Sequence, residues 1–303
     1  MRFVNAEGRA ALLVDGMVHD LFEITGGAVP SSPMDVVLEH WDDALDAQEE
    51  GSFGGGRPVG SVRLGPPVPT PRSVYAIGVN YRNHARETGA SVGAVPPVFT
   101  KFPSSISGPY DDIVLPSGEG TTDWEAELAF VVGEGGRHIP AGDAMDAIRG
   151  FMVAQDISER FVQMAAGRQF SLGKSFDSFC PIGPALVTVD ELDQPLALRI
   201  RCLVNGEVVQ EESTADMIVD PPHLVELLSS VMTLTAGDVC LTGTPGGVGM
   251  ARRPPRFLRP GDVVETQIEC LGSMRNECVA EPVPVKRTRR RRPGGGRPPR
   301  AAQ

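Results

Sequence analysis

The chain has 303 residues, 41% of them hydrophobic, and its composition is that of a globular protein able to bury a large core. No apolar run reaches the roughly 20 residues that span a bilayer and the N-terminus has no secretion-signal layout, so a soluble, cytoplasmic protein without a membrane partner is expected. The net charge of −11 is uneven: residues 286–303 hold eight of the 28 basic residues and no acid, leaving 20 basic against 39 acidic ahead of them, which argues against nucleic acid as the body's partner.

Taken in chain order, residues 1–68 predict a small N-terminal α/β domain. Its alternating segments are broken at Gly16 and at Gly26-Gly27, and a helix opens at Ser31 or Ser32 with Met34, Val37, Leu38, Trp41 and Leu45 at helical spacing. The proline-rich GPPVPTPRS connects it to a main domain over 69–285. There the pattern is mostly short strands with few helices: a strand at 73–78, a candidate helical turn over Asn80–Glu87, a short IVLP strand, the strand that begins WEAELAFVV, a helix around 141–148, a strand ending at Asp156, an Asn205-Gly206 hairpin and a helix near 222–232. Without regular βα alternation the expected fold class is mixed α+β, predominantly β. The tail 286–303, rich in Arg, Pro and Gly, reads as disordered, either a neutral extension or a polyanion-binding arm. The five cysteines show no C-x-x-C spacing and read as reduced, mostly buried thiols.

Four stretches are candidates for chemistry. Glu125 and Glu127 stand one residue apart at the head of an apolar strand, so the period of two puts them on one face, and Asp156 ends a second apolar strand. Such acids either line a solvated strand edge or, held together, share a hard divalent cation, Mg2+ or Mn2+, since no His or Cys stands near them in sequence. His84 and Glu87 fall at i, i+3, where a carboxylate can fix the tautomer of a water-activating base or form an ordinary ion pair; Gly78 and Gly89 could hinge this stretch as a lid. Lys174, in GKSFDSF, sits on a half-buried segment and could hold a substrate carboxylate or developing enolate, or pair with Asp177 or a metal-site acid. The glycines of TGTPGGVG would let backbone amides and the Thr244 hydroxyl approach a bound carboxylate.

In order, YAIGVNYRNHARE, FTKFPSSISGPYDDIVLP, TDWEAELAFVVG, GFMVAQDISER, FSLGKSFDSFCPIGPALVT, VNGE and LTGTPGGVG resemble the fumarylacetoacetate hydrolase family over roughly residues 70–275. The resemblance implies a β-roll or barrel catalytic domain, a homodimer, and one Mg2+ or Mn2+ held by Glu125, Glu127 and Asp156. It implies His84 and Glu87 as the dyad on a lid, Lys174 as the stabiliser of enolate charge, and Gln155, Arg160 and Thr244 as substrate contacts. The activity implied is metal-dependent hydrolysis of a carbon–carbon bond in a 1,3-dicarbonyl acid of the acylpyruvate, fumarylpyruvate or diketo-deoxy acid type. Oxaloacetate tautomerisation or decarboxylation, or hydroxydienoate isomerisation or hydration, would use the same apparatus. Specificity for the small keto acid would come from lid and loop residues such as Arg82, Ser104, Gln163 and Arg168.

Overall fold

In a computed structural model residues 1–282 are described, except positions 52, 92, 94, 119, 166 and 168. Arg168 and the Arg-rich tail therefore lie outside the described residues. Strands of three or more residues are β1 (Arg2–Ala6), β2 (Arg9–Val14), β3 (Met17–Asp20), β4 (Val74–Ile77), β5 (Val98–Lys101), β6 (Ile113–Leu115), β7 (Ala126–Val132), β8 (Ile148–Gln155), β9 (Cys180–Val187), β10 (Arg199–Val204), β11 (Glu207–Ser213), β12 (Val239–Leu241), β13 (Val263–Ile268) and β14 (Gly272–Ala280). The longer helices are α1 (Pro33–Glu39), α2 (Trp41–Glu50), α3 (Arg82–Thr88), α4 (Arg160–Ala165) and α5 (Pro221–Val231).

The larger sheet runs β3-β2-β1-β9-β8-β7-β12-β4-β5, antiparallel except between β12 and β4. A second sheet, β11-β10-β13-β14-β6, packs over its middle. The architecture is predominantly β, as expected, but among the described residues the large sheet stays open and does not close into a barrel.

Strand β7 is buried on both faces, which is why its sequence is a continuous apolar run and not an alternation. Ala126, Leu128, Phe130 and Val132 point into the core shared with the second sheet, against Ile200, Cys202 and Val264. Ala129 and Val131 point the other way, with Met152 and Ala154 of β8, into a core that also holds Phe3, Leu12, Leu21, Val36 and Trp41. The first 68 residues thus share both a sheet and a core with the rest, through the pairing of β1 with β9.

Two predicted helices differ from those found. The helix opening at Ser32, whose hydroxyl caps the Asp35 amide at 3.3 Å, breaks at His40 into α1 and α2. Around 141–148 only a 3-10 turn at Ala141–Asp143 forms, followed by further i→i−3 bonds up to Ile148; Gly142, Asp143 and Asp146 are weak helix formers and β8 begins at once. The Asn205-Gly206 hairpin joins β10 to β11, with both residues at positive φ (54° and 79°) as a type I′ turn requires.

Candidate active site

Glu125 and Glu127 flank the start of β7, and Asp156 directly follows β8. The strands pair Ala126 with Gln155 and Glu127 with Ala154, and the Asp156 amide donates to the Glu125 carbonyl at 2.9 Å, so the ladder runs on past both ends. By alternation all three acids lie on the Ala129, Val131 and Ala154 face. They are buried, and one oxygen from each lies within 4.8 Å of the others.

Cations surround two of the three. Lys174 Nζ donates to Glu125 Oε2 at 2.6 Å and to Asp156 Oδ2, so it pairs with these acids and not with Asp177. Arg160, at the start of α4, sits 2.7 Å from Glu125 Oε1 and 2.8 Å from Asp123 Oδ2. Burial opposes ionisation of Glu125, yet Lys174 and Arg160 outweigh it and bring its pKa down to about 2. Glu127 is treated oppositely. Burial, then the neighbouring Asp156 and Glu125, push its pKa well above the carboxylate range.

Among the described residues no ion pair forms to Glu127, which accepts the Gly243 amide at 2.7 Å. A buried all-oxygen trio with one member lacking a cation is a donor set that fits Mg2+ or Mn2+. Gly243 can come so near because its φ is +98° and a Cβ there would meet Asn80 Cβ at 2.7 Å.

Glu125 and Glu127 open on a cavity of about 820 Å3 whose wall also includes Val79, His84, Phe99, Arg160, Gln163, Phe170, Lys174, Thr244 and Met250. Helix α3 brings His84 to it. His84 Nδ1 lies 2.9 Å from Glu87 Oε1, while Glu87 Oε2 accepts the Gly247 amide at 2.8 Å. A carboxylate already accepting an amide makes Nδ1 the donor, which leaves Nε2 with the lone pair. Asn80 anchors the stem of α3 by bonding the Val219 and Thr242 carbonyls and the Val219 amide. Val79, a β-branched residue at φ 56°, is strained where that stem begins.

Thr244 lines the cavity, its hydroxyl donating to the Ala126 carbonyl at 2.9 Å and accepting from Gln210 at 2.8 Å. Gln155 does not line it. It falls on the opposite face of β8, where its carbonyl accepts the Glu125 amide at 2.9 Å and its amide donates to Thr266 at 2.9 Å, so it supports the site from behind and is not placed as a substrate contact. Of the proposed specificity residues Gln163 lines the cavity, whereas Arg82 and Ser104 are exposed away from it. Two residues that stand inside the quoted motifs, Asp123 in TDWEAELAFVVG and Lys101 in FTKFPSSISGPYDDIVLP, are not singled out by the sequence. Asp123 accepts from the Trp124, Gly249 and Met250 amides and from Arg160, and Lys101 reaches Asp156 from β5 at 2.6 Å.

In an open two-sheet fold, Glu125, Glu127, Lys174 and His84 thus share the wall of one cavity, with Asp156 and Glu87 bonded directly behind them. Residues 73–279 match the model of the fumarylacetoacetate (FAA) hydrolase C-terminal family. The chain is similar to oxaloacetate tautomerase Fahd2a, mitochondrial, of Rattus norvegicus (49% identical, 70% of this chain and 68% of the relative). It is also similar to 2,4-didehydro-3-deoxy-L-rhamnonate hydrolase of Sphingomonas sp. strain SKA58 (41%, 72% and 77%). Its fold matches the maleylpyruvate hydrolase from Sphingobium sp. SYK-6, solved in complex with manganese (II) ion and pyruvate, with a TM-score of 0.76 (30% identity, 92% and 99% covered). The chain belongs to the fumarylacetoacetate hydrolase family.

Proposed function

We propose that this enzyme interconverts the keto and enol forms of a small 2-oxo dicarboxylic acid of the oxaloacetate type, through an enolate. What carries the reading is that a base, His84, and a buried ammonium, Lys174, face one cavity at the acid trio. Similarity to oxaloacetate tautomerases supports the choice of substrate class. Glu125, Glu127 and Asp156 would hold one Mg2+ or Mn2+, which when bound supplies Lewis-acid polarisation of the 2-oxo oxygen.

The chain's own groups do the rest. His84 Nε2 takes a proton from the carbon between the two carbonyl groups, and Glu87 steadies the imidazolium that forms. Lys174 donates a hydrogen bond to the oxygen on which negative charge develops. Return of the proton to that oxygen gives the enol, so the reaction balances without a co-reactant. Thr244 and Gln163 offer polar contacts along the cavity wall.

His84→Ala is expected to cut tautomerisation, followed by the change in enol absorbance, about 100- to 10,000-fold, the usual worth of a general base. Full activity in that variant would remove His84 from the mechanism. A second reading, hydrolytic carbon–carbon cleavage with His84 activating water, is favoured by the likeness to a didehydro-deoxy-rhamnonate hydrolase. Release of pyruvate from acylpyruvates with a higher kcat/KM than oxaloacetate tautomerisation would put it first.

A further inference from the structure

Lys101 is a fully buried lysine that the proposed proton transfer does not use. It ends β5, where the strand alternation of exposed Val98 and Thr100 with buried Phe99 and Lys101 turns its side chain inward. Its ammonium meets two acceptors. One is Asp156 Oδ1 at 2.6 Å, and the other is the main-chain carbonyl of Lys174. The next residue adds a third stitch, the Phe102 amide donating to Ser175 Oγ at 3.0 Å.

Asp156 is therefore gripped from both sides, Oδ1 by Lys101 and Oδ2 by Lys174. The same ammonium that fixes Asp156 also fixes the backbone from which Lys174 projects. A carboxylate so held cannot rotate about its terminal torsion without breaking two charge-assisted hydrogen bonds. We infer that Lys101 is a positioning residue that sets Asp156 as a metal ligand and registers Lys174 against it. The inference rests on the metal reading of the acid trio.

Charge and geometry predict opposite signs here. Removing a cation from beside three acids should tighten the binding of a divalent ion if charge alone matters. Losing an outer group that orients a ligand weakens it, typically about 10- to 100-fold. The test is calorimetric titration of Mn2+ into the full-length protein, without substrate, for the wild type, Lys101→Met and Lys101→Arg, with thermal midpoints measured in parallel.

The expected result is tight binding by the wild type, at least about tenfold weaker binding by K101M, and recovery of most of that loss by K101R, which keeps both charge and donors. Should K101M fail to fold, Lys101→Gln, a shorter and neutral donor, takes its place with the same expected weakening. Unchanged or tighter Mn2+ binding in the folded Met or Gln variant overturns the positioning role while leaving the metal reading intact. A wild type that binds no Mn2+ overturns both.

Discussion

Asp123 accepts four hydrogen bonds and donates none: the Trp124 and Gly249 amides meet one carboxylate oxygen, and Arg160 and the Met250 amide meet the other. Burial, resisted by Arg160, raises its pKa, so its charge is not the strongest argument for its presence. Its geometry is. Asp123→Asn would turn an NH2 group toward two existing donors and leave them unpaired in the interior. The expected cost is about 2–3 kcal/mol in denaturant unfolding, with KM raised because Met250 forms part of the cavity wall. Unchanged stability would show that the site can rearrange around a neutral amide.

At the scale of the element, the trio was legible because strand alternation is local. Glu125 and Glu127 share a face by spacing alone, and Asp156 joins them because β7 and β8 pair in the register Ala126–Gln155. The same alternation puts Gln155 on the reverse side, one residue from Asp156, a parity that motif resemblance does not weigh. Lys101 could not be found that way, since its partners stand 55 and 73 residues on and meet it only after β5 has docked at the edge of the sheet. Likewise the lost helix near residue 145 follows from weak helix formers inside the segment, Gly142, Asp143 and Asp146, and from the strand that begins at Ile148, neither of which periodicity registers.

The Thr242–Gly249 loop shows how tightly such elements are fitted. Gly243→Ala combines an unfavourable positive φ with a Cβ pressed to 2.7 Å from Asn80 and 3.1 Å from the Ile77 carbonyl. It should lower stability by more than about 1 kcal/mol. Because Gly243 holds Glu127 and Asn80 anchors the stem of α3, Mn2+ affinity should fall too; a variant with a wild-type thermal midpoint and Mn2+ affinity would refute this coupling.

For the whole molecule, the family and its predominantly β fold were readable from ordered motifs, whereas the relation of the first 68 residues to the rest was not. Their patterning suggested a separate domain, and composition cannot reveal a strand pairing 185 positions away, such as Arg2 with Val187. Phe3, Leu12, Leu21 and Trp41 fill a core beneath the very strands that carry the acids. A fragment of residues 69–285 would bare that apolar face and the unpaired edge of β9. It should be insoluble or lack a cooperative thermal transition. A soluble fragment with the full-length midpoint would mean that the N-terminal segment contributes little.

Glu87 ties two contacts to one side chain. One of its oxygens orients His84, and the other fastens α3 to the Gly247 amide. If α3 moves away from the Gly247 amide, His84 loses its fixed carboxylate partner in the same step, so on the proposed mechanism the base would be competent only while α3 is seated, and an enolate formed there would be kept from solvent.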